Sequence, residues 1–249
     1  QHLETYKSFL YNRLQRKGSD SKDIHRLAAR DRHVFAALML AHGHGDGLVT
    51  GATRKSAHVL ERLNHVFDAN AKHGAVGITA LLHKGRIVFI GDTLVHEWPN
   101  EEDLANIAEK GAKVARHMGL EPRVAFVSFS TFGYPVSERA EKMQRAPDVL
   151  DARGVDFEYE GEMTVDVALN AESQKNYPFS RLTGPANILV VPARHSASIS
   201  VKLMQEMAGA TVIGPILTGL DKSIQICSTT STANDILNMA ILAACKVGE

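Results

Sequence analysis

One stretch limits the possible fold more than any other: Tyr177 to Ser200, with the sequence YPFSRLTGPANILVVPARHSASIS. A Thr-Gly-Pro corner leads into the apolar run Ile188 to Val191, which stops at Pro192, so the pattern predicts a turn followed by a buried strand. From about Ser198, apolar residues recur at helical spacing up to Gly209, which predicts a helix. Turn, strand, loop and helix in this order are typical of open α/β sheets, where ligands bind at the carboxyl ends of strands and helix N-termini favour anions.

Strands and helices alternate along the rest of the chain. Two helices are predicted first, from Leu3 to Lys17 and from Asp23 to about Ala41. Because a parallel sheet normally begins with a strand, we expect the strands on which these helices pack to lie upstream of Gln1. Apolar runs joined by His83-Lys84-Gly85-Arg86 predict a β-hairpin, so part of one sheet is antiparallel. Further strands are predicted within 43–52, 124–128, 157–163, 211–217 and 224–227, and further helices within 56–67, 99–118, 137–153 and 233–245.

The composition is that of a soluble globular protein, with 44% apolar and 22% charged residues. At 249 residues the chain is long enough for two domains, the division that we favour. Lys and Arg together number 28, as do Asp and Glu, which removes the electrostatic support for a nucleic-acid partner. No apolar run approaches the roughly 20 residues that span a bilayer, and the N-terminus lacks the order of a signal peptide. We therefore expect a cytoplasmic protein with no membrane partner, whose Cys227 and Cys245 are buried free thiols.

Two charged positions beside predicted helix starts have two interpretations each. Arg54 and Lys55 precede a helix and favour a phosphate group, although a solvated helix start would have the same sequence. Asp235 follows Thr232 by three residues at the start of the last helix, the spacing of a capping pair. The residues alone therefore leave both a binding role and a structural role open for each position.

Two other polar groups suggest a metal ion, and we favour the simpler interpretation for both. His42 and His44 have no third ligand at a regular spacing and are interpreted as loop residues. Glu160, Glu162 and Asp166 have no fixed ligand spacing, and carboxylates at helix starts are ordinary. The chain also lacks GxGxxG, GxxxxGK[ST], GxSxG and HExxH, so nucleotide-fold, P-loop, hydrolase and zincin interpretations lose their main support.

Several segments taken together resemble the phosphate acetyltransferase and butyryltransferase family, in the right order and over nearly the whole chain. The resemblance is closer still to the C-terminal phosphotransacetylase-like domain of the large bacterial NADP-dependent malic enzymes, which have a Tyr-Pro-Phe-Ser-Arg-Leu segment like Tyr177 to Leu182. The segments that carry it are DGLVTGA at 46–52, VAFVSFSTFG at 124–133, EGEMTVDVAL at 160–169, RLTGPANIL at 181–189, VIGPI at 212–216 and STTSTAND at 228–235.

The resemblance implies two three-layer α/β domains with mostly parallel sheets, an architecture similar to that of isocitrate dehydrogenase, and a cleft that accepts coenzyme A. The first domain would comprise 1–66 and 219–249, with its N-terminal strands missing, and the second 67–218. A homodimer through the second domain is also implied, and we expect a higher oligomer of the parent enzyme.

The family's catalytic residues are only partly present. Active phosphotransacetylases have a Ser-Arg pair and, six residues after the arginine, an Asp proposed as the base for the coenzyme A thiol; the resemblance places these at Ser228, Thr229 and Asp235. Thr229 cannot supply the cationic fork of an arginine, and losing one such donor typically costs about 10²- to 10³-fold in rate. Phe132 also stands where the family frequently has a lysine. We therefore expect a fold that binds an acyl-coenzyme A and does little chemistry with phosphate.

The leading hypothesis is a regulatory domain that senses acetyl-coenzyme A as an allosteric ligand, joined to N-terminal malic enzyme domains that hold NADP and a divalent metal. An active phosphate acetyltransferase is the alternative, and a domain that serves only assembly is a third possibility. The leading hypothesis expects no catalytic residue in this domain. Ser228, Thr229 and Asp235 would be vestigial and would lie near the thioester of the bound acetyl-coenzyme A. The residues expected to bind the ligand are these three together with Arg54, Lys55, Ser128, Thr131, Arg181 and Arg194; Arg181 has a structural role as its alternative.

Overall fold

The computed structural model describes residues 2–67 and 74–247, which divide into two units. One unit comprises Gln1–Ala75 and Ile216–Val247, and the other comprises Val76–Pro215. Helices and strands are mixed in both, so the predicted α/β class is confirmed. Within the described residues, no helix is both long and apolar enough to cross a bilayer.

The described residues of the first unit form a two-stranded parallel sheet and five α-helices. Strand β1 pairs in register with β8, Leu48 beside Ile224 and Gly51 beside Cys227. Helices α3, α4 and α10 pack against these strands, and α1 and α2 pack against one another. The elements of this unit are α1 (Leu3–Leu14), α2 (Ser21–Arg30), α3 (Arg32–Ala41), β1 (Leu48–Gly51), α4 (Ser56–Leu63), β8 (Ile224–Cys227) and α10 (Ala233–Ala244), with a 3₁₀ turn at Gln15–Lys17.

The single helix predicted over 23–41 is wrong, because the chain breaks at Asp31. This residue has an extended backbone, with φ −94° and ψ 109°, which ends α2. Its side chain then accepts hydrogen bonds from the backbone N–H groups of His33 and Val34 and caps α3. Aspartate favours this N-cap role, and apolar periodicity continued through the break without showing it.

The second unit is built on a six-stranded sheet in the order β5-β4-β6-β3-β2-β7. Strands β2 and β3 form the predicted antiparallel hairpin, while β3, β6, β4 and β5 pair in parallel. The elements are β2 (Val76–His83), β3 (Arg86–Gly91), α5 (Glu101–His117), β4 (Arg123–Val127), α6 (Glu138–Arg153), β5 (Glu158–Met163), α7 (Val165–Leu169), α8 (Ala171–Gln174), β6 (Ile188–Val190), α9 (Arg194–Ala208) and β7 (Thr211–Thr218), whose residues from Ile216 onward are assigned to the first unit.

Helices cover both faces of this sheet, as expected of its central strands β4 and β6, which are almost entirely apolar and buried. On one face, side chains such as Leu81, Ile90 and Leu189 form a buried cluster with residues of α7 and α9. Alternate residues point to the opposite face. There, α5 approaches so closely that a Cβ on its Gly111 would lie 2.9 Å from Cγ2 of Ile188. The second unit therefore has three layers, with the sheet between two layers of helices. Its loops begin at the ends of the strands in the middle layer.

Two further predictions need correction. The helix expected from about Ser198 begins at Arg194, because the extended backbone of Ala193 already ends the loop after β6. Arg194 is therefore the first residue of α9. Both cysteines are free, but only Cys227 is buried; Cys245 is exposed because it follows the end of α10.

Candidate functional site

The residues predicted to bind a ligand fall into two groups. Five of them lie in the first unit and occupy the loops after β1 and β8, or the first turn of α10. Four lie in the second unit, in the loop after β4 and around β6. The first group comprises Arg54, Lys55, Ser228, Thr229 and Asp235, and the second comprises Ser128, Thr131, Arg181 and Arg194.

The first group is brought together by the close approach of β1 and β8. Gly51 has φ +110°, and a Cβ there would lie only 2.2 Å from the carbonyl oxygen of Cys227. The N–H of Ala52 donates to the same oxygen at 3.1 Å. Since the strands are parallel, both carboxyl ends lie at one edge of the sheet, and both following loops begin there.

The loop after β8 uses its polar side chains within itself. Asp235 and Thr232 form a capping box, in which Oδ2 of Asp235 accepts from the Thr232 N–H at 2.8 Å and the Thr232 hydroxyl at 2.9 Å. The hydroxyl of Ser228 accepts from the N–H of Thr230 at 3.2 Å. The capping interpretation of Asp235 is therefore confirmed, although Asp235 and Thr229 still lie at the edge of the sheet.

Cys227 ends β8 directly before Ser228 and is the nearest thiol to this loop. Burial, and to a smaller extent the charge of Asp235, raises the pKa of its thiol. A thiol with a raised pKa is protonated at neutral pH and is a poor nucleophile. Cys227 is therefore a packing residue of this strand.

Arg54 and Lys55 are exposed and form no ion pair within the part of the chain that the structure describes. Lys55 is the N-cap of α4, and its side chain caps nothing. The first turn of α4 carries no acidic residue. These two cations are therefore free to meet an anion at the end of β1.

In the second unit, the loop after β4 is joined to the end of β5. The N–H of Ser128 donates to the carbonyl of Met163 at 2.9 Å, and the hydroxyl of Thr131 accepts from the N–H of Thr164 at 3.1 Å. Between them, Ser130 is fully buried and its hydroxyl has no partner among the described residues. Ser128 also lines a cavity of about 700 Å³ with Phe129, Trp98 and Lys142.

Arg181 is held by two carboxylates and an aromatic ring. Its guanidinium lies 2.7 Å from Asp151 and 3.5 Å from Glu160, and 4.6 Å from the ring centre of Tyr159. Tyr159 donates to Asp151 as well, and burial, followed by this hydrogen bond, raises the pKa of Tyr159 to about 12. The structural role that the sequence left open for Arg181 is therefore observed, although the Thr183 corner is bonded to Glu158 instead.

Arg194 is also engaged within its own unit. It donates to the carbonyl of Leu94 at 3.2 Å and lies 3.5 Å from a carboxylate oxygen of Glu97. Both acceptors belong to the loop after β3. Arg194 therefore links the start of α9 to that loop, and a ligand phosphate would have to compete for it.

The carboxylates considered for a metal also have other partners. Glu160 accepts from the backbone N–H groups of Gly161 and Arg181, and Glu162 accepts from the N–H of Gly133. Over residues 2–67 and 74–247, no group of three potential ligands is arranged to hold a metal ion.

Sequence reasoning missed four residues of interest. The rings of Trp98 and His195 are tilted by 57° with their centres 5.0 Å apart, and Lys142 donates to the carbonyls of Pro99 and Pro192 at 3.0 and 2.8 Å. The only signal for this cluster was that Trp98 is the single tryptophan of the chain. His33, buried beneath the end of β1, gave no signal because it lies inside an apolar helical pattern.

Comparison with known proteins identifies close relatives. The family model described as "Phosphate acetyl/butaryl transferase" matches residues 1–244. An NADP-dependent malic enzyme of Rhizobium meliloti is 51% identical over 98% of this chain and 32% of its own length. A phosphate acetyltransferase of Corynebacterium glutamicum is 31% identical over 94% of this chain and 72% of its own. A crystal structure of a phosphotransacetylase from Streptococcus pyogenes matches with TM-score 0.89 and 25% identity, over 98% of this chain and 75% of that one.

Proposed function

The chain belongs to the phosphate acetyl/butaryl transferase family, and we propose that it is the acetyl-coenzyme A-binding, regulatory part of an NADP-dependent malic enzyme. In this proposal it binds acetyl-coenzyme A without transferring the acetyl group. NADP, a divalent metal and malate would be bound by other domains of the parent polypeptide. A cytoplasmic location belongs to the same proposal, since two free thiols suit a reducing compartment.

The observation that carries the proposal is the chemistry of the loop after β8. Ser228 and Asp235 match the family's catalytic residues, but Thr229 stands in place of the arginine, and no Lys or Arg occurs from Ser228 to Cys245. Asp235 meanwhile accepts two hydrogen bonds from Thr232, both on Oδ2, so its carboxylate is engaged in the cap of α10. This loop therefore has no cation for a phosphoryl group, and the carboxylate that matches the family's base serves as a helix cap.

The pattern of similarity supports the malic enzyme assignment. Identity to two malic enzymes is 51% and 41%, and to phosphate acetyltransferases it is 28% and 31%. The chain spans about a third of the length of the malic enzymes it matches. Fusion to further malic enzyme domains is therefore the simplest proposal.

Charge availability indicates how acetyl-coenzyme A would be oriented. Arg181 and Arg194 are already paired, whereas Arg54 and Lys55 form no ion pair with any described residue. We therefore assign the phosphates of the ligand to Arg54 and Lys55, and the acetyl end to the neutral loop that carries Thr229. Ser128 and Thr131, which lie in the second unit, stay predictions from the sequence.

Calorimetric titration with acetyl-coenzyme A tests this assignment. Replacing Arg54 and Lys55 together by alanine should weaken binding by about 1–3 kcal/mol, the scale of charge-assisted hydrogen bonds, with little change in melting temperature. The matched control is Arg16→Ala with Lys17→Ala, another exposed Arg-Lys pair of the same unit. Wild-type protein that binds no acetyl-coenzyme A at millimolar concentration would refute the proposal, and equal weakening in both double variants would refute the site.

An active phosphate acetyltransferase is the second candidate, because Ser228 and Asp235 are present and Arg54 and Lys55 begin a loop at the same edge of the sheet. A coupled assay of acetyl phosphate formation decides between the two. A missing electrostatic donor is expected to lower the turnover rate by about 10²- to 10³-fold. Turnover within about tenfold of that of a working phosphotransacetylase would therefore favour this candidate.

We also propose that the second unit forms a homodimer through α9. Ile199, Leu203 and Met207 follow one face of this helix and are 63%, 59% and 80% exposed. Beside them lies an apolar cavity of about 330 Å³, lined by residues such as Leu81, Val165 and Met204. Large exposed apolar patches mark interaction sites in soluble proteins. Two antiparallel copies of α9 centred near Leu203 would cover this face.

Charge complementarity supports pairing with a second copy. In an antiparallel arrangement centred at Leu203, Ile199 of one copy would be level with Met207 of the other, and Lys202 would lie about 3 Å along the axis from Glu206, within reach of its side chain. Because a two-fold interface repeats every contact, each favourable pair counts twice. Light scattering should show a dimer that dissociates in Leu203→Lys and persists in Gln205→Lys, a control on the same helix. A monomeric wild type would refute the dimer. If the protein binds acetyl-coenzyme A but affects neither assembly nor regulation, the regulatory role would be refuted and only a binding function would be left.

A further inference from the structure

The N-terminus of α4 has an unusual charge. Its N-cap is Lys55, Arg54 precedes it, and its first turn has no acidic residue. The N-terminal end of a helix is the positive end of its dipole, so cations there are unfavourable unless an anion is present. The backbone N–H groups of the first turn also receive no side-chain cap. The arrangement therefore favours a bound anion, but on its own it does not establish a site.

A second, independent feature lies beneath the same loop. His33 is only 4% exposed, and its Nδ1 lies 2.7 Å from the hydroxyl of Thr50, the next-to-last residue of β1. Its Nε2 is buried and has no hydrogen-bond partner among the described residues. Buried polar atoms are nearly always paired, so this ring nitrogen needs an explanation. Helix α3 packs against both β1 and α4, which places His33 at the base of the loop between them.

The charges around His33 connect the two features. Burial is the main factor that lowers the pKa of His33, and Arg32, Arg54 and His58 lower it further. Asp31 opposes them, but it also caps α3 and lies 3.4 Å from Arg62. The charged groups that face His33 are therefore Asp31, Arg32, Arg54 and His58. They come from the start of α3, from the loop after β1 and from α4. Without a ligand, the ring is therefore neutral in a positively charged surrounding.

We propose that the loop from Gly51 to Ser56 binds a phosphate group through Arg54, Lys55 and the first N–H groups of α4, and that His33 is the positioning residue linked to it. This inference rests on the proposed function for the identity of the natural ligand, a phosphate ester of coenzyme A. The site itself is defined by its chemistry, a doubly charged tetrahedral anion.

The consequence is that the anion and a proton bind together. A dianion beside Arg54 offsets the positive charges that, in addition to burial, lower the pKa of His33, so it raises the affinity of the ring for a proton. By linkage, a proton on His33 raises the affinity for the anion by the same factor. Each unit by which the ligand raises the pKa of His33 corresponds to about a tenfold gain in affinity. Binding should therefore strengthen as the pH falls through the range in which His33 of the complex becomes protonated.

Sulfate is the suitable probe because it keeps its two charges throughout the range from about pH 5 to pH 8. The ring resonances of His33, assigned by their loss in His33→Gln, are titrated by NMR with and without sulfate. We expect the midpoint of His33 to rise by about one pH unit with sulfate. In the double variant Arg54→Ala with Lys55→Ala, sulfate should not move the midpoint of His33. Only exposed side chains change in this variant, so comparing it with the wild type does not depend on how well His33→Gln folds. His65, near Arg62 at the other end of α4, is the internal control and should not respond.

The outcomes separate this inference from the proposed function. A sulfate-dependent shift at His33 that requires Arg54 and Lys55 supports the phosphate site. If His33 shifts but acetyl-coenzyme A does not bind, the site stands and the proposed ligand is wrong. If acetyl-coenzyme A binds while sulfate leaves His33 unchanged, or shifts it equally in the double variant, the inference is overturned and the proposed function stands. A wild type that responds to neither ligand overturns both.

Discussion

Replacing Gly51 by alanine is the sharpest test of the geometry that brings β1 and β8 together. The new Cβ would lie 2.2 Å from the carbonyl oxygen of Cys227, and neither a Cβ nor a backbone oxygen can be moved by rotating a side chain. The end of β1 must retreat, which breaks the 3.1 Å hydrogen bond from Ala52 to that oxygen. Strain at a positive φ costs about 1–2 kcal/mol, and a buried backbone group left unpaired costs about 1–3 kcal/mol. We therefore expect a loss of about 2–5 kcal/mol in the free energy of unfolding.

Gly18→Ala is the matched control in the same unit. Gly18 also has a positive φ, +86°, but a Cβ there would meet no atom within 4 Å. It should therefore show only the backbone strain, about 1–2 kcal/mol. Urea denaturation followed by circular dichroism measures both variants. If the two substitutions cost the same within about 0.5 kcal/mol, the close contact of Gly51 with Cys227 does not exist and the proposed edge is wrong. Gly51→Ala should also weaken acetyl-coenzyme A binding at temperatures where the variant is folded.

Three further predictions concern stability and chemistry. Gln225 is fully buried, and its side-chain amide forms hydrogen bonds with both the N–H and the carbonyl of Leu217, at 2.9 and 3.1 Å. Gln225→Leu should therefore lower the free energy of unfolding, measured by urea denaturation, by about 2–5 kcal/mol. A smaller loss than in an exposed Gln-to-Leu variant would contradict this. The hydrogen bond to Asp92 raises the pKa of His96 above its ordinary value of 6.5. The stabilisation that this pair gives the folded state is therefore complete below pH 6.5, and it is lost as the pH rises through the higher pKa of the folded state. Melting temperatures measured across this range should fall in the wild type and stay flat in His96→Gln. Thr229→Arg should raise acetyl phosphate formation at least tenfold if the missing cation limits catalysis, and unchanged turnover would show that another group is limiting.

Much of the fold was predictable because apolar periodicity reports burial directly. The run Ile188 to Val191 became the buried strand β6, and the two apolar runs on either side of His83-Lys84-Gly85-Arg86 became a hairpin. The failures occurred where a single polar contact overrides the pattern. Asp31 divides one apolar-periodic stretch into two helices by capping the second, and the extended backbone of Ala193 starts α9 four residues early.

The candidate site was predictable only where residues follow a strand. Arg54 and Ser228 could be placed at strand ends from the order of elements, and parallel pairing of β1 with β8 brings their loops to one edge. Whether a cation is free or paired depends on contacts between distant segments. Arg181 meets Asp151, which is 30 residues away, and nothing in the local sequence indicates this pair. His33 was hidden for the same reason, since its partner Thr50 is 17 residues away.

The geometry explains how a member of this family could keep ligand binding while losing catalysis. In the proposed function the phosphates bind at the loop after β1, where Arg54 and Lys55 form no ion pair with any residue that the structure describes. Transfer of the acetyl group depends on the loop after β8, where Thr229 is neutral and Asp235 is occupied by its cap. Since the two loops belong to different strands, a change in one leaves the backbone of the other intact. Under the proposed function, a site with one cationic loop and one neutral loop would bind acetyl-coenzyme A without consuming it, which is what a regulatory domain requires.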